Sequence, residues 1–257
     1  MKTNVYKNIK HFLVVFFLLL ATPLFAAITG TGTASDPYII YNTTDWNTFA
    51  NNVNNGINVD KYYKLSDSFN NSSSAITTMA GNSPDNPFRG VFDGNGRTLT
   101  ISLSSTEDYV APFRYANGVT IENLTITGSI STSKMFAGGF ISNPVGGMNR
   151  IEGCVSSVTI TSSVNGDGSH GGFIGISDEN SNIVFTDCAF VGSLKGDTTS
   201  HSSGFLGFRR GKCSYSNCLF APASITMLAA ESAIFNRNWT EILKILIIKH
   251  DLEKTRA

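Results

Sequence analysis

Apolar residues in the middle of the chain fall in short alternating runs, and the runs themselves recur. IENLTITGSI from Ile121, IEGCVSSVTI from Ile151, FTDCAFVGSL from Phe185 and YSNCLFAPAS from Tyr215 superpose, which puts Leu124, Cys154, Cys188 and Cys218 in one position at steps of 30, 34 and 30 residues. Ile121, Ile151, Phe185 and Tyr215 share a second position. Between these runs lies another matching set, AGGFIS from Ala137, GGFIGI from Gly171 and SGFLGF from Ser203, with Phe140, Phe173 and Phe205 in register. Each repeat therefore carries at least two short strands. A period near 30 residues, built of strands and Gly/Asn/Ser turns with no helical pattern inside it, predicts an all-β parallel solenoid. Stacked coils lie about 4.8 Å apart and align equivalent inward side chains into ladders. A β-sandwich also uses short, evenly spaced strands, but it does not explain position-by-position equivalence every 30 residues.

The same pattern divides the rest of the chain. Residues 27–87 read as an N-terminal cap and first coils, 88–225 as solenoid repeats, and 226–257 as a last partial coil with an atypical tail. Thr44 or Asp45 is placed to cap a short helix through Trp46, Phe49 and Val53, and such an element suits an open solenoid end. That reading makes Trp46 part of the cap rather than a sugar platform. FRGVFDGNGRTLTISL from Phe88 reads as strand, hairpin-like turn, strand, because Asp93–Gly94–Asn95–Gly96 suits positive φ. A calcium loop at this point fails on spacing, since the twelfth residue from Asp93 is Ser104. The NGDGSH segment from Asn165 is expected to bulge at a corner. The tail from Asn238 has no Gly and carries Ile242, Ile245, Leu246 and Lys249 at helical spacing. It reads equally as a helical cap and as a departure of the reading frame from the repeat.

Composition sharpens this in three ways. The chain of 257 residues has 41% hydrophobic and 15% charged residues, with 24 Gly and as many Asn, so it has a core but a surface of Ser, Thr and Asn. Met1 to Ala26, with Lys2, Lys7 and Lys10 before the apolar run Phe12–Leu20, reads as a secretory signal peptide too short to span a membrane. Its removal leaves 16 basic and 19 acidic groups, a mature charge of −3, with no electrostatic footprint for nucleic acid. Export permits disulfides, yet the in-register Cys154, Cys188 and Cys218 favour buried thiols over bridges, and Cys213 lies outside their ladder.

The five-residue motifs GGFIG at 171–175 and SGFLG at 203–207, with AGGFIS as a degraded copy, resemble the GLUG motif of bacterial surface proteins. GTGTASDPYII from Gly30 and FDGNGRTL from Phe92 are similar to the start of such repeat regions. Related repeats precede the catalytic domain in some immunoglobulin A1 metallopeptidases. The resemblance implies a right-handed, single-stranded parallel β-helix of the pectin-lyase type, secreted or at the cell surface, with no catalytic residue assigned to the motif.

Candidate chemistry is sparse. Asp167 and His170 fall in one Gly-rich corner, Asp197 and His201 in the next, and Arg209 follows. Coil stacking could make His170 and His201 neighbours, but the favoured reading is solvated corner residues. No His-Glu-x-x-His pair, Gly-x-Ser-x-Gly elbow, phosphate loop or dinucleotide fingerprint exists, so no metal or cofactor is expected. Two functions remain. One is a non-catalytic surface module that binds a host or environmental glycan or protein, or acts as a spacer. The other is a carbohydrate-active enzyme whose acids converge by coil stacking.

Overall fold

The computed structural model describes residues 28–227. The signal peptide and the tail beyond residue 227 lie outside the described residues. In chain order the elements are β1 (Tyr38–Ile40), α1 (Thr43–Asn54), β2 (Tyr62–Leu65), β3 (Val91–Ser105), β4 (Phe113–Asn117), β5 (Thr120–Thr132), β6 (Ile141–Glu152), β7 (Val155–Ser162) and β8 (Gly166–Gly171). They continue with β9 (Ile174–Ile176), β10 (Ser181–Thr186), β11 (Ala189–Phe190), β12 (Ser193–Lys195), β13 (Thr199–Ser203), β14 (Leu206–Phe208), β15 (Lys212–Ser216), β16 (Leu219–Phe220) and β17 (Ser224–Ile225). The strands coil into one right-handed parallel β-solenoid with a short N-terminal helix.

Each coil crosses three faces. The first is formed by β1, β2, the start of β3, the start of β5, the end of β6, β10 and β15. The second runs from the end of β3 through β5 and β7 to β11, β12, β16 and β17. The third stacks β4, the start of β6, β9 and β14. A further parallel pair, β8 with β13, joins the second face to the third. On the first face Phe92 pairs with Ile121, Ile121 with Ile151, Ile151 with Phe185 and Phe185 with Tyr215. On the inside Phe173 stacks between Phe140 and Phe205, with centroids 4.8 and 4.9 Å away.

The chain turns from the first face to the second through a left-handed residue in five successive coils, Asn95, Asn123, Gly153, Asp187 and Asn217, with φ between 51° and 61°. Asn, Asp and Gly are the residues that tolerate this region. The next position inward holds Leu124, Cys154 and Cys188, which are buried, and Cys218, which is half-buried on the last described coil. All four cysteines are free thiols. The thiols of Cys154 and Cys188 donate to the Ile121 and Ile151 carbonyls of the preceding coil, at 3.6 and 3.2 Å. The Cys188 thiol is pushed up to about 12, chiefly by the Cys154 thiol beside it, with burial adding to the effect.

Three local expectations differ from the structure. The Asp93–Gly96 segment is not a hairpin-like turn. β3 runs through it as one strand with a bulge, because pairing resumes in parallel with β5 on the far side, Asp93 with Glu122 and then Arg97 with Leu124. The segment from Asn165 is not a free corner: Gly166–Gly171 is a strand that pairs with β13, and the bulge lies inside that ladder, between Asp167 and His170. Neither Thr44 nor Asp45 caps α1. The Asn42 side chain accepts from the Asp45 amide at 3.1 Å, and the Asp45 carboxylate accepts from the Tyr41 amide at 2.9 Å. This reciprocal arrangement satisfies two backbone donors at once. The helix buries Trp46, Phe49, Ala50 and Val53 over the first coils, and the Trp46 indole donates to the Thr78 carbonyl at 2.9 Å. With no exposed surface, Trp46 belongs to the cap.

Candidate functional site

The corner residues singled out from the sequence separate into unlike environments. His170 is not solvated: it is fully buried, in the inward position that Ala137 takes in the coil before and Ser202 in the coil after. Its Nδ1 accepts from the Ala137 amide at 3.1 Å, which puts the proton on Nε2, facing the Ser162 hydroxyl at 2.9 Å. The Thr199 hydroxyl donates to the same Ser162 oxygen at 2.9 Å. Burial pulls the His170 pKa down to about 4, against a smaller upward pull from Asp167. His170 is therefore a neutral structural group at physiological pH.

His201 does not meet His170. The ladder aligns Ser202 with His170, and His201 sits at a bulge with φ 61°. Its Nδ1 lies 2.9 Å from the Ser200 hydroxyl and 3.6 Å from the Asp167 carboxylate. Asp167 also accepts from the Ser169 hydroxyl at 2.7 Å. Asp197 is exposed. Arg209 lies on a different corner from Asp167 and His201, between the third and first faces, where it donates to the Gly211 carbonyl at 3.3 Å. Among the described residues, no three His, Cys, Asp or Glu side chains are grouped closely enough to hold a metal ion.

A pH dependence follows from His170. An unfolded histidine takes up its proton near pH 6.5 and the buried one only near pH 4. The unfolded state thus binds more protons between those values, and stability falls as pH drops through that window, by on the order of 3 kcal/mol. His170→Ser, which copies Ser202 of the next coil, should flatten this part of the curve. Urea midpoints at pH 7 and pH 4 for both proteins test it, and an identical acid loss in the variant contradicts it.

The more developed surface lies on the outward side of the first face, which the corner residues do not touch. Alternation turns Ile39, Lys64, Asp93, Glu122 and Glu152 outward on five successive rungs, each paired with the next. The Lys64 ammonium lies 3.1 Å from the Asp93 carboxylate, and the Arg150 guanidinium 3.9 Å from Glu152. Glu122, between Asp93 and Glu152, is half-buried. Burial first, and then those two carboxylates, hold its carboxyl above the usual range, against the pull of Lys64. Beside this row opens a trough of about 480 Å³ lined by Pro37, Tyr62, Lys64, Val91, Asp93 and Glu122. Tyr62 is 39% exposed, so its ring is open to a ligand. A second depression of about 340 Å³ lies on the other side of Lys64, with Tyr41, Asp67 and Asn95 in its wall.

Sequence reasoning missed this row although part of it was present in the repeats. Glu122 and Glu152 each follow the shared isoleucine of IENL and IEGC. The bulge after Asp93 hides the equivalence of VFD with TIE, so the row could not be extended to Asp93 and Lys64.

No family model matches this chain. Over 177 residues it is 30% identical to Halomucin from Haloquadratum walsbyi, a match that covers 65% of this chain and 2% of that protein's length. A solved structure provisionally assigned as an immunoglobulin A1 protease from Bacteroides ovatus superposes with a TM-score of 0.47 at 16% identity, covering 84% of this chain and 81% of the other. That likeness is too loose to transfer a function. No described helix is long and apolar enough to cross a membrane.

Proposed function

We propose that this chain is a non-catalytic module of an exported surface protein, a stiff β-helical rod whose flank recognises a glycan. The observation that carries this reading is how the polar groups are used. Many on the outer faces bond along the stacking axis, from one coil to the next. Asn95 donates to Asp67 at 2.7 Å, Asn217 donates to Asp187, and Lys64 pairs with Asp93 from rung to rung. Such ladders tie each coil to the next, and a catalytic constellation needs the opposite, several groups around one reacting atom. The secretory leader read from Met1–Ala26 and the similarity to a short stretch of a far longer protein support an exported module.

A second reading has one observation in its favour. The trough brings Asp93, Glu122 and Lys64 to a single cleft, and burial and the neighbouring carboxylates shift the Glu122 carboxyl upward, the direction a general acid requires. Incubating the mature chain with a panel of polysaccharides and measuring reducing and unsaturated ends separates the two. The module reading expects binding on a glycan array without product, and sustained release of shortened chains overturns it.

A further inference from the structure

From the trough beside Tyr62 we infer a binding site for a cationic amino-sugar chain, with one sugar ring on Tyr62 and an ammonium on Glu122. The inference rests on the non-catalytic reading and adds the place and the chemistry of the ligand. Three observations converge on it.

The first is shape. Tyr62 and Glu122 line one cavity, two rungs and one alternation apart. With rungs about 4.8 Å apart and same-side neighbours about 6.7 Å apart along a strand, the two anchors are separated by roughly 12 Å. That span suits consecutive rings of an extended oligosaccharide better than a single small molecule.

The second is the character of the walls. The strand register sets Tyr62 and Val91 in one outward column, with Pro37 also in the lining, and Lys64, Asp93 and Glu122 in the next column, which Ile39 begins. A pyranose is divided between apolar and polar groups, with C–H groups on its faces and hydroxyls at its edge. An aromatic ring takes the former by stacking, and carboxylates accept hydrogen bonds from the latter.

The third is charge. Lys64 is already engaged by Asp93, and Arg150 stands on the side of Glu152. Glu122 is left between two carboxylates, and among the described residues no side-chain cation is within ion-pair distance of it. A ligand ammonium at that point relieves the repulsion along Asp93–Glu122–Glu152, and a ligand carboxylate adds to it. Charge complementarity therefore selects free-amine sugars over uronates.

The test uses the mature chain and calorimetric titration with three probes: chitosan oligosaccharides, their N-acetylated counterparts, and oligogalacturonates. Chitosan oligosaccharides should bind tightest, with affinity falling as salt rises. Glu122→Gln should weaken them about tenfold or more and leave the N-acetylated series nearly unchanged. Tyr62→Ala should weaken both series. Both side chains point outward, so unchanged melting curves verify that each variant is folded. Oligogalacturonate binding as tight as chitosan binding overturns the proposal, as does an unaltered Glu122→Gln affinity or the absence of chitosan binding by the unmodified protein. The two readings fail separately. Binding of another glycan, undisturbed by either variant, overturns the trough and leaves the module standing. Shortened chitosan chains that disappear with Glu122→Gln keep the ligand at the trough and overturn the non-catalytic reading.

Discussion

Replacing Gly172 with alanine should destabilise the solenoid by about 4 kcal/mol or more, a loss in the range reserved for disrupted cores. A Cβ at Gly172 would lie 2.2 Å from the Gly204 carbonyl oxygen in the next coil and 2.3 Å from the Phe190 ring. The same contact recurs one coil earlier, where a Cβ on Gly139 would lie 2.0 Å from the Gly172 oxygen. The obstruction is backbone on one side and a buried ring on the other, so neither can yield without opening the stack. Gly96 provides the contrast: its φ is 67° but nothing lies within 4 Å of an added Cβ. Gly96→Ala should cost only the left-handed strain, about 1–2 kcal/mol. Urea unfolding of the two variants measures the difference, and a Gly172→Ala loss no larger than that of Gly96→Ala refutes the close-approach account.

Phe173→Ala should cost about 3–5 kcal/mol. The ring is fully buried, stacks on Phe140 and Phe205 at interplanar angles of 22° and 12°, and meets the edge of Phe185 at 5.5 Å. Its removal leaves a void between two coils that are held at strand spacing by backbone hydrogen bonds. The Phe140 and Ile141 amides both donate to the Phe173 carbonyl, at 2.8 and 3.0 Å. Those bonds prevent the neighbours from closing in, so the cavity persists. Phe173→Leu, which keeps most of the volume, should recover more than half of the loss in the same denaturation experiment. Equal losses for the two variants would contradict the cavity account, because restoring the volume would then recover nothing.

These two sites show why the architecture was legible before any coordinates. In a solenoid the contacts of a residue are with its equivalents one period away, so the repeat is itself a contact map along the stacking axis. Ile121, Ile151, Phe185 and Tyr215 share a repeat position and also pair rung to rung. The structure adds a left-handed corner before each Leu/Cys position, at Asn123, Gly153, Asp187 and Asn217.

The candidate site was less legible, because its groups are chosen by which way each side chain points. His170 lies in a polar Gly-rich stretch that reads as a solvated corner. In the structure the segment is strand β8, and the irregular backbone before His170, with Ser169 left-handed, turns the imidazole inward to Ser162. Lys64 and Asp93 belong to coils whose spacing is disturbed by a helix and a bulge, so no period in the sequence joins them to Glu122.

The amino-acid order by itself determined the parallel coiling, the period, and the helix that covers the first coils, because each follows from local turn chemistry and from apolar positions recurring along the chain. Only the tertiary structure decided which polar residues are interior and which share the open trough. That choice depends on strand register across bulges and on the inward or outward sense of single side chains, and a shift of one residue reverses it.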